Sequence, residues 1–237
     1  MSWFSRILGA RSTPGVALTA RQEQLLGGWQ QLPDADLRRS HYRCRYVVID
    51  VEASSGDPDT ARLLAIAAVA VVDGQVSFQD AWRLVLEGQA AGVNPAPSAD
   101  VAATGSQAGS PLADELISFL AFVGKAPMVA YNARFVRRLL QRTLAEHLGL
   151  RLRLPWLDLA WILPDLFREF DAGPERLDAW LDHFGITSIR RHEALSDAFA
   201  TAQLMQIAVA HAARKGVDTP ASLRELEKAR RHMHQSA

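Results

Sequence analysis

The chain has 237 residues with 26 basic and 26 acidic side chains, so its formal net charge is zero. A polyanionic partner therefore has to be held by a local patch or by bound metal, because the protein as a whole offers no attractive field. The single cysteine, Cys44, excludes an intramolecular disulfide framework.

Residues 1–44 are interpreted as an N-terminal extension with short helices rather than as a domain. Apolar residues at helical spacing in 2–9 could touch a membrane or a partner, but we expect this segment to dock onto the chain's own domain. Thr19 and Gln22 form a capping-box pattern. We expect the helix that they begin to end at the glycine pair 27–28.

No stretch of the sequence indicates a membrane protein. Residues 1–20 lack the apolar core of a signal peptide, since Arg6, Arg11 and Pro14 interrupt them. The longest apolar run, 63–72, is too short to cross a bilayer. We therefore expect a cytoplasmic protein with no integral membrane segment.

Residues 45–52 predict a buried β-strand that carries two carboxylates. A continuous run of β-branched and aromatic residues is typical of a central strand covered on both faces. Asp50 and Glu52 are two residues apart, so both side chains should leave the same face. Two buried carboxylates side by side are costly unless a cation joins them. The alternative is a strand end where both acids are solvated.

The rest of the chain predicts a three-stranded meander followed by alternating helices and strands. Asp73-Gly74 is a hairpin signal between two apolar runs, and the low-complexity stretch 88–110 predicts a surface loop. The further predicted strands are 62–72, 76–86, 126–131 and 152–157, and the predicted helices are 111–123, 133–148, 158–170, 174–184, 193–215 and 220–234. This order indicates an α/β fold with a mixed five-stranded sheet flanked by helices.

The helix after the fourth strand is predicted to be capped by Asn132 and to bury one apolar face. Four arginines occupy its remaining surface: Arg134, Arg137, Arg138 and Arg142. Such a run is usually a solvated face, although here it could also meet phosphate. We assign residues 45–215 to one domain and 216–237 to a basic C-terminal tail helix.

A second informative stretch places His192 just before a helix and Asp197 in its first turns. Taken singly, an early Asp is favoured by the helix dipole, and a His before a helix is usually solvated or capping. Together with Asp50 and Glu52, they supply three carboxylates and one imidazole. That set suits metal-activated water beside a proton acceptor of a type that titrates near neutrality.

Three stretches match known motifs in order. Residues 50–56 follow the pattern Asp-x-Glu, small polar residues, Gly; residues 192–198 match His-x-Ala-x-x-Asp-Ala; and residues 131–136 look like His-Asn-x-x-Phe-Asp. These motifs resemble those of the DEDDh 3′–5′ exonucleases, which include the proofreading epsilon subunit of bacterial DNA polymerase III. The resemblance covers about residues 45–212 and implies an RNase H-like fold.

By this resemblance, Asp50, Glu52 and Asp197 would hold Mg²⁺ or Mn²⁺, with two ions in the family. His192 would accept the proton of the water that attacks a 3′-terminal phosphodiester. Three further residues would contact the substrate: Ser54, Asn132 and Phe135.

Two positions depart from the family pattern. The catalytic Asp of the second motif is replaced by Val136, which cannot ligate metal and suits the apolar face of its helix, and the leading His is replaced by Tyr131. Asp158 is expected to cap its own helix rather than to replace the missing ligand. The second ion is therefore the weakest part of the expectation.

Two functions remain open. One is a metal-dependent 3′–5′ exonuclease, of reduced activity, acting on single-stranded DNA or RNA ends. The other is a catalytically impaired, nuclease-like module that binds nucleic acid or recruits a partner. A polymerase or another protein could bind through the N-terminal extension.

Overall fold

The computed structural model describes residues 16–86, 110–170 and 177–235. Its strands are β1 (Arg45–Ala53), β2 (Leu63–Val72), β3 (Gln75–Val85), β4 (Met128–Ala130) and β5 (Trp156–Asp158). Its α-helices are α1 (Ala20–Gln31), α2 (Pro111–Val123), α3 (Ala133–Leu148), α4 (Leu159–Leu166), α5 (Leu177–His183), α6 (Ala194–Arg214) and α7 (Pro220–Gln235). The predicted helical turns at 2–9 and the predicted loop at 88–110 fall outside the described residues.

The five strands form one mixed sheet in the order β3-β2-β1-β4-β5. The meander pairs are antiparallel, whereas β1–β4 and β4–β5 are parallel. The predicted fold class is therefore confirmed. The hairpin signal is also confirmed, because Val72 pairs with Gln75 across Asp73-Gly74, both of which have positive φ as a two-residue type I′ turn requires.

The sheet separates two apolar layers. Val47 and Ile49 pack into the layer with α1, α2 and α3, whereas Tyr46 and Val48 pack into the layer with α4 to α7. Because side chains alternate along a strand, Asp50 leaves β1 on the side of Tyr46 and Val48. This is the side on which α6 crosses the sheet.

The predicted end of the first helix is wrong. The Thr19–Gln22 capping box is present, but α1 continues through Gly27-Gly28 to Gln31. Each helical glycine costs about 1 kcal/mol relative to alanine. Beyond them, Trp29 is buried and its Nε1 donates to the Gly124 carbonyl at 2.8 Å. Tertiary packing of Trp29 thus overrides the local stop signal.

The predicted cap of α3 is also wrong. Asn132 has φ 60° and ψ 52°, and its side chain accepts no capping hydrogen bond. An N-cap side chain reaches back to the helix from extended backbone, which Asn132 does not have. Asp158, in the next parallel strand, accepts the Ala133 N–H instead.

Several boundaries differ from the predicted ones. The short strands β4 and β5 have three residues each, and the predicted strand residues 152–155 lie outside β5. Helix α4 ends at Leu166, four residues early. Arg142 is half-buried rather than solvated, because its guanidinium donates to the carbonyls of Pro58 and Ala61. This contact holds the loop after β1 against α3.

The segment before β1 packs against the connection between α6 and α7. Buried His41 contacts the Tyr46 hydroxyl through Nδ1 at 2.5 Å and the Val217 carbonyl through Nε2 at 2.9 Å. The Ala221 N–H donates to the Leu37 carbonyl at 3.0 Å. None of the helices in the described residues has the length and apolar character of a membrane span.

Candidate active site

The site begins where β1 extends beyond its pairing with the parallel strand β4. The β1–β4 register includes Val47 and Val48, and beyond these residues β1 pairs only with β2. Asp50 lies opposite Ala67, and Glu52 lies opposite Ala65. Strand order also reverses here, and such switch points in open α/β sheets commonly bind ligands.

Helix α6 brings a third carboxylate to this end of β1. Asp197 lies in the first turn of α6 and is 6% exposed. One carboxylate oxygen from each of Asp50, Glu52 and Asp197 lies within 4.8 Å of the others. We call these three residues the carboxylate cluster. The structure thus brings together side chains that the sequence separates by about 145 positions.

The Asp197 carboxylate is held from three directions. Its Oδ1 accepts from the Ser188 hydroxyl at 2.8 Å and from the Arg191 guanidinium at 2.6 Å. Its Oδ2 accepts from the backbone N–H of His192 at 3.0 Å. A carboxylate offers about four acceptor positions, so Asp197 is nearly saturated and fixed in orientation.

His192 has a left-handed backbone, with φ 62°, and its side chain is exposed. This conformation is uncommon for a residue other than glycine and often marks a functional position. The bond from its N–H to Asp197 compensates for part of the strain. The charge of His192 also lowers the pKa of Glu52, so the imidazole lies on the Glu52 side of the cluster.

The cluster is electrostatically unfavourable without a cation. Burial is the main cause that raises the pKa of Asp50 well above its usual value, and the charges of Asp197 and Glu52 raise it further. Burial and then Asp197 likewise raise the pKa of Glu52. Carboxylates that share one site repel each other in this way unless a cation is bound.

Arg191 is part of the site, and sequence reasoning gave it no role. Its Nη1 contacts Asp197, and its Nη2 lies 2.5 Å from Oδ1 of Asp178 on α5. Its charge lowers the pKa of both Asp50 and Glu52. Nothing in the local pattern predicts this contact, since it depends on how α5 and the loop before α6 fold together.

The second motif contributes no carboxylate. Val136 is 4% exposed and belongs to the apolar layer with α2 and α3. Tyr131 packs partly buried against the opposite layer. Asp158 caps α4, since its Oδ1 accepts from Ala160 N at 3.2 Å. The interpretation of Val136 as a core residue and of Asp158 as a cap is therefore confirmed.

The three predicted substrate contacts lie in different settings. Asn132 is exposed, whereas Phe135 is half-buried against the apolar layer below α3. Ser54 is exposed, and its hydroxyl oxygen accepts from Arg62 N at 2.9 Å. Ser54 can still donate a hydrogen bond, but part of its role is to close the loop after β1.

The donor set fits a hard divalent cation. All three ligating groups are carboxylates, which Mg²⁺ and Mn²⁺ prefer, and the cluster includes neither sulfur nor a pair of imidazoles as Zn²⁺ sites usually do. A cation would also relieve the repulsion that raises the pKa of Asp50. Asp50, Glu52 and Asp197 would hold it.

Comparisons with known proteins find similar sequences among DNA polymerases. The chain is 26% identical over 169 residues to the DNA polymerase III PolC-type of Thermotoga petrophila, a match that covers 67% of this chain and 11% of the relative. It is 27% identical over 165 residues to the DNA polymerase III PolC-type of Clostridium perfringens, covering 68% of this chain and 11% of the relative. The chain thus spans about a tenth of the length of these relatives.

The solved structure of E. coli exonuclease I in complex with a dT13 oligonucleotide is 18% identical, with a TM-score of 0.47, and the match covers 72% of this chain and 42% of that one. The sequence profile of the Exonuclease family, RNase_T, matches residues 47–205. This match includes the carboxylate cluster and more than half of the chain, so the protein belongs to the Exonuclease family.

Proposed function

We propose that this protein is a metal-dependent 3′–5′ exonuclease that hydrolyses the terminal phosphodiester of single-stranded DNA or RNA. The observation that carries the proposal is the convergence of three carboxylate oxygens within 4.8 Å beside His192. Membership of the Exonuclease family supports hydrolysis, and the resemblance of residues 50–56 and 192–198 to the DEDDh motifs supports the direction.

The proposed metal is Mg²⁺ or Mn²⁺. When bound, it would neutralise charge on the scissile phosphate and make a water molecule easier to deprotonate. Asp50, Glu52 and Asp197 would hold it against the end of β1. The hydrogen bonds from Ser188 and His192 to Asp197 fix that ligand in place before substrate arrives, which reduces the reorganisation needed during reaction.

His192 is the proposed general base. Its imidazole would take a proton from the attacking water and release it to solvent, which its exposed position allows. The bond between His192 N and Asp197 couples the base to a cluster ligand. A nucleoside monophosphate would leave from the 3′ end.

The contacts to the strand are proposed to come from Ser54, Asn132 and Phe135. Asn132 projects from a left-handed turn at the carboxyl end of β4, the same end of the sheet as Asp50. Its amide can donate to and accept from a nucleotide, whereas the half-buried ring of Phe135 offers a stacking face. These contacts would bind the end of a strand without recognising a particular base.

Degradation of a 3′-labelled single strand tests this function. Wild type should release labelled mononucleotide with Mg²⁺ or Mn²⁺, and Glu52→Gln should slow release at least about 100-fold, because one catalytic group is lost. Asp182→Asn, which removes an exposed carboxylate of α5, is the matched control and should behave as wild type. If wild type released no more label than Glu52→Gln with either metal, the proposal would be wrong.

One observation favours a second function, a binding module with lost catalysis. Val136 lies in the apolar layer where the family pattern has its fourth carboxylate. In that case the protein would bind labelled oligonucleotide, measured by fluorescence anisotropy, but would not shorten it. Val136→Asp separates the two functions further. A gain of cleavage would identify the missing ligand, whereas lower stability without cleavage would mean that this position serves only the core.

A polymerase partner is also proposed. The support is that the relatives from Thermotoga petrophila and Clostridium perfringens are named as polymerases. Co-purification of a polymerase with full-length protein, and its loss on deletion of residues 1–15, would support the N-terminal extension as the contact.

A further inference from the structure

A fixed positive charge lies against the carboxylate cluster. The Arg191 guanidinium is 2.6 Å from Oδ1 of Asp197, and its field reaches both Asp50 and Glu52 strongly enough to lower their pKa values. Asp197 is almost fully buried, whereas the Arg191 side chain is 37% exposed. Part of the Arg191 side chain is therefore open to solvent, where an incoming phosphate can approach it.

The charges of the site match a single divalent cation. The three cluster carboxylates and the Arg191 guanidinium together leave two negative charges. Asp178 also pairs with Arg191, but its side chain is 63% exposed and lies outside the cluster, so solvent screens its charge. Four carboxylates, as in the family pattern, would balance two divalent ions. Here Val136, which is buried, stands where that pattern has its fourth carboxylate, and Arg191 lies against the other three. Two divalent ions beside Arg191 would leave the site with excess positive charge.

The geometry of Arg191 suits contact with phosphate. Nη2 is anchored by Asp178 at 2.5 Å, so a second carboxylate holds the side chain beside the cluster. A guanidinium has five N–H donors in a planar fork, which leaves donors free for phosphate oxygens. Arg191 therefore does more than join α5 to the loop before α6, since it contacts Asp197 directly and its charge also acts on Asp50 and Glu52.

We propose that Arg191 takes the place of a second divalent ion, so that the chain binds one divalent ion per molecule and neutralises the scissile phosphate with the guanidinium. This inference rests on the proposed function. It also specifies a metal stoichiometry that can be measured without turnover, so its failure can be distinguished from failure of the nuclease proposal.

Mn²⁺ titration of the full chain, followed by calorimetry and by the electron paramagnetic resonance of free Mn²⁺, tests the stoichiometry. Wild type should bind one Mn²⁺ that Asp50→Asn abolishes. Arg191→Gln should bind Mn²⁺ about tenfold more tightly, because a repelling charge is removed and Oδ1 of Asp197 is released. Arg191→Lys retains the charge and should remain near the wild-type affinity.

One control variant separates this role from a general effect of charge. Arg190→Gln removes a neighbouring exposed charge and should leave the Mn²⁺ affinity within about twofold, since screening weakens exposed charges. In nuclease assays Arg191→Gln should lower kcat about 100-fold despite its tighter metal binding. This opposite movement of affinity and turnover is not expected from a loosened fold.

Two results would overturn the inference. One is two Mn²⁺ ions per wild-type chain, both sensitive to Asp50→Asn. The other is Mn²⁺ binding by Arg191→Gln that is equal to or weaker than that of wild type while its melting temperature is unchanged. Either result would assign Arg191 to holding α5 against the loop before α6.

Discussion

Two groups of buried carboxylates in this protein have opposite surroundings. Asp158, at the end of β5, has its pKa raised by burial, but Ala133, Arg231 and Ala160 all oppose that shift with charge or hydrogen bonds. Burial also raises the pKa of Asp50, at the end of β1, and two neighbouring carboxylates raise it further. Burial is common to both, and the partners differ.

The difference distinguishes buried acids that stabilise the fold from acids whose surroundings suit metal binding. The tail helix α7 places an arginine against each buried Asp of β5–α4: Arg231 lies 2.7 Å from Asp158, and Arg230 lies 2.9 Å from Asp165. Arg231 also pairs with Glu227 of its own helix at 2.9 Å. Arg191, in contrast, is shared by the three acids of the carboxylate cluster and by Asp178. A buried acid in contact with a cation holds elements together, whereas several acids that crowd around one arginine form the kind of site that binds a further cation.

The largest expected effect is loss of metal response in the cluster. Asp50→Asn should abolish Mn²⁺-induced thermal stabilisation and lower nuclease activity at least about 1,000-fold, because the amide removes a charged ligand. Differential scanning fluorimetry with and without Mn²⁺ measures the first effect. Equal melting shifts in Asp50→Asn and wild type would place the metal elsewhere and break the comparison.

The next largest effect is expected at the buried pair between Asp158 and Arg231. Arg231→Met should destabilise the fold by about 2–4 kcal/mol, because it leaves the Asp158 carboxylate buried without its cation. Urea unfolding measures the loss. Lys228→Met is the matched control on the same helix, since its pair with Glu225 is exposed on both sides and solvent screening should make its loss barely measurable. Similar losses in both variants would contradict a structural role for the buried pair.

The pH dependence of stability should separate the two regions further. Because the folded-state pKa of Asp50 is raised, the fold favours its protonated form, and that stabilising contribution disappears as pH rises from about 4 through the raised value. In chelator, Asp50→Asn should therefore melt above wild type at pH 8 and close to it near pH 4. If the difference in melting temperature between Asp50→Asn and wild type instead grew toward acid pH, its sign would be opposite to the one expected. Repulsion among the cluster carboxylates would then be refuted.

The sequence specified those parts of the fold that depend on local period and turn chemistry. The two-residue alternation of β1 placed Asp50 and Glu52 on one face, Asp73-Gly74 predicted the hairpin, and Gly149 ended α3. The errors arose where distant residues decide. Trp29 extends α1 through two glycines, and Asp158 replaces Asn132 as the acceptor at the start of α3.

The site was predictable in its acids and not in its basic group. The Asp-x-Glu spacing and the His-to-Asp motif pointed to Asp50, Glu52 and Asp197, whose carboxylate oxygens the structure brings within 4.8 Å of one another. The catalytic role of His192 stays a prediction. Arg191 precedes His192 directly in sequence, but its contact with Asp197 depends on the turn before α6 and on Asp178 from α5. Local patterns carry no signal for a bond of that kind.

The smallest expected effect is in α1, away from Asp158 and from the carboxylate cluster, and serves as a reference for the other variants. Gly28→Ala should stabilise the fold by about 0.5–1 kcal/mol, because alanine is the better helix former. An added Cβ at Gly28 would meet no atom within 4 Å. The melting temperature should rise while the Mn²⁺ shift stays the same. A change in the Mn²⁺ shift would mean that α1 and the carboxylate cluster are energetically coupled.

His41 joins the segment before β1 to the turn before α7 through its contacts with Tyr46 and Val217. The two segments should therefore respond to acid together. The Val217 carbonyl can only accept, so neutral His41 donates from Nε2 and accepts the Tyr46 hydroxyl proton at Nδ1. Burial is the main cause that lowers the pKa of His41. As pH falls below about 6.5, the usual imidazole value, folded His41 resists protonation and the fold loses stability. Once protonated, Nδ1 can no longer accept, so residues 34–44 and the turn before α7 should loosen at the same pH.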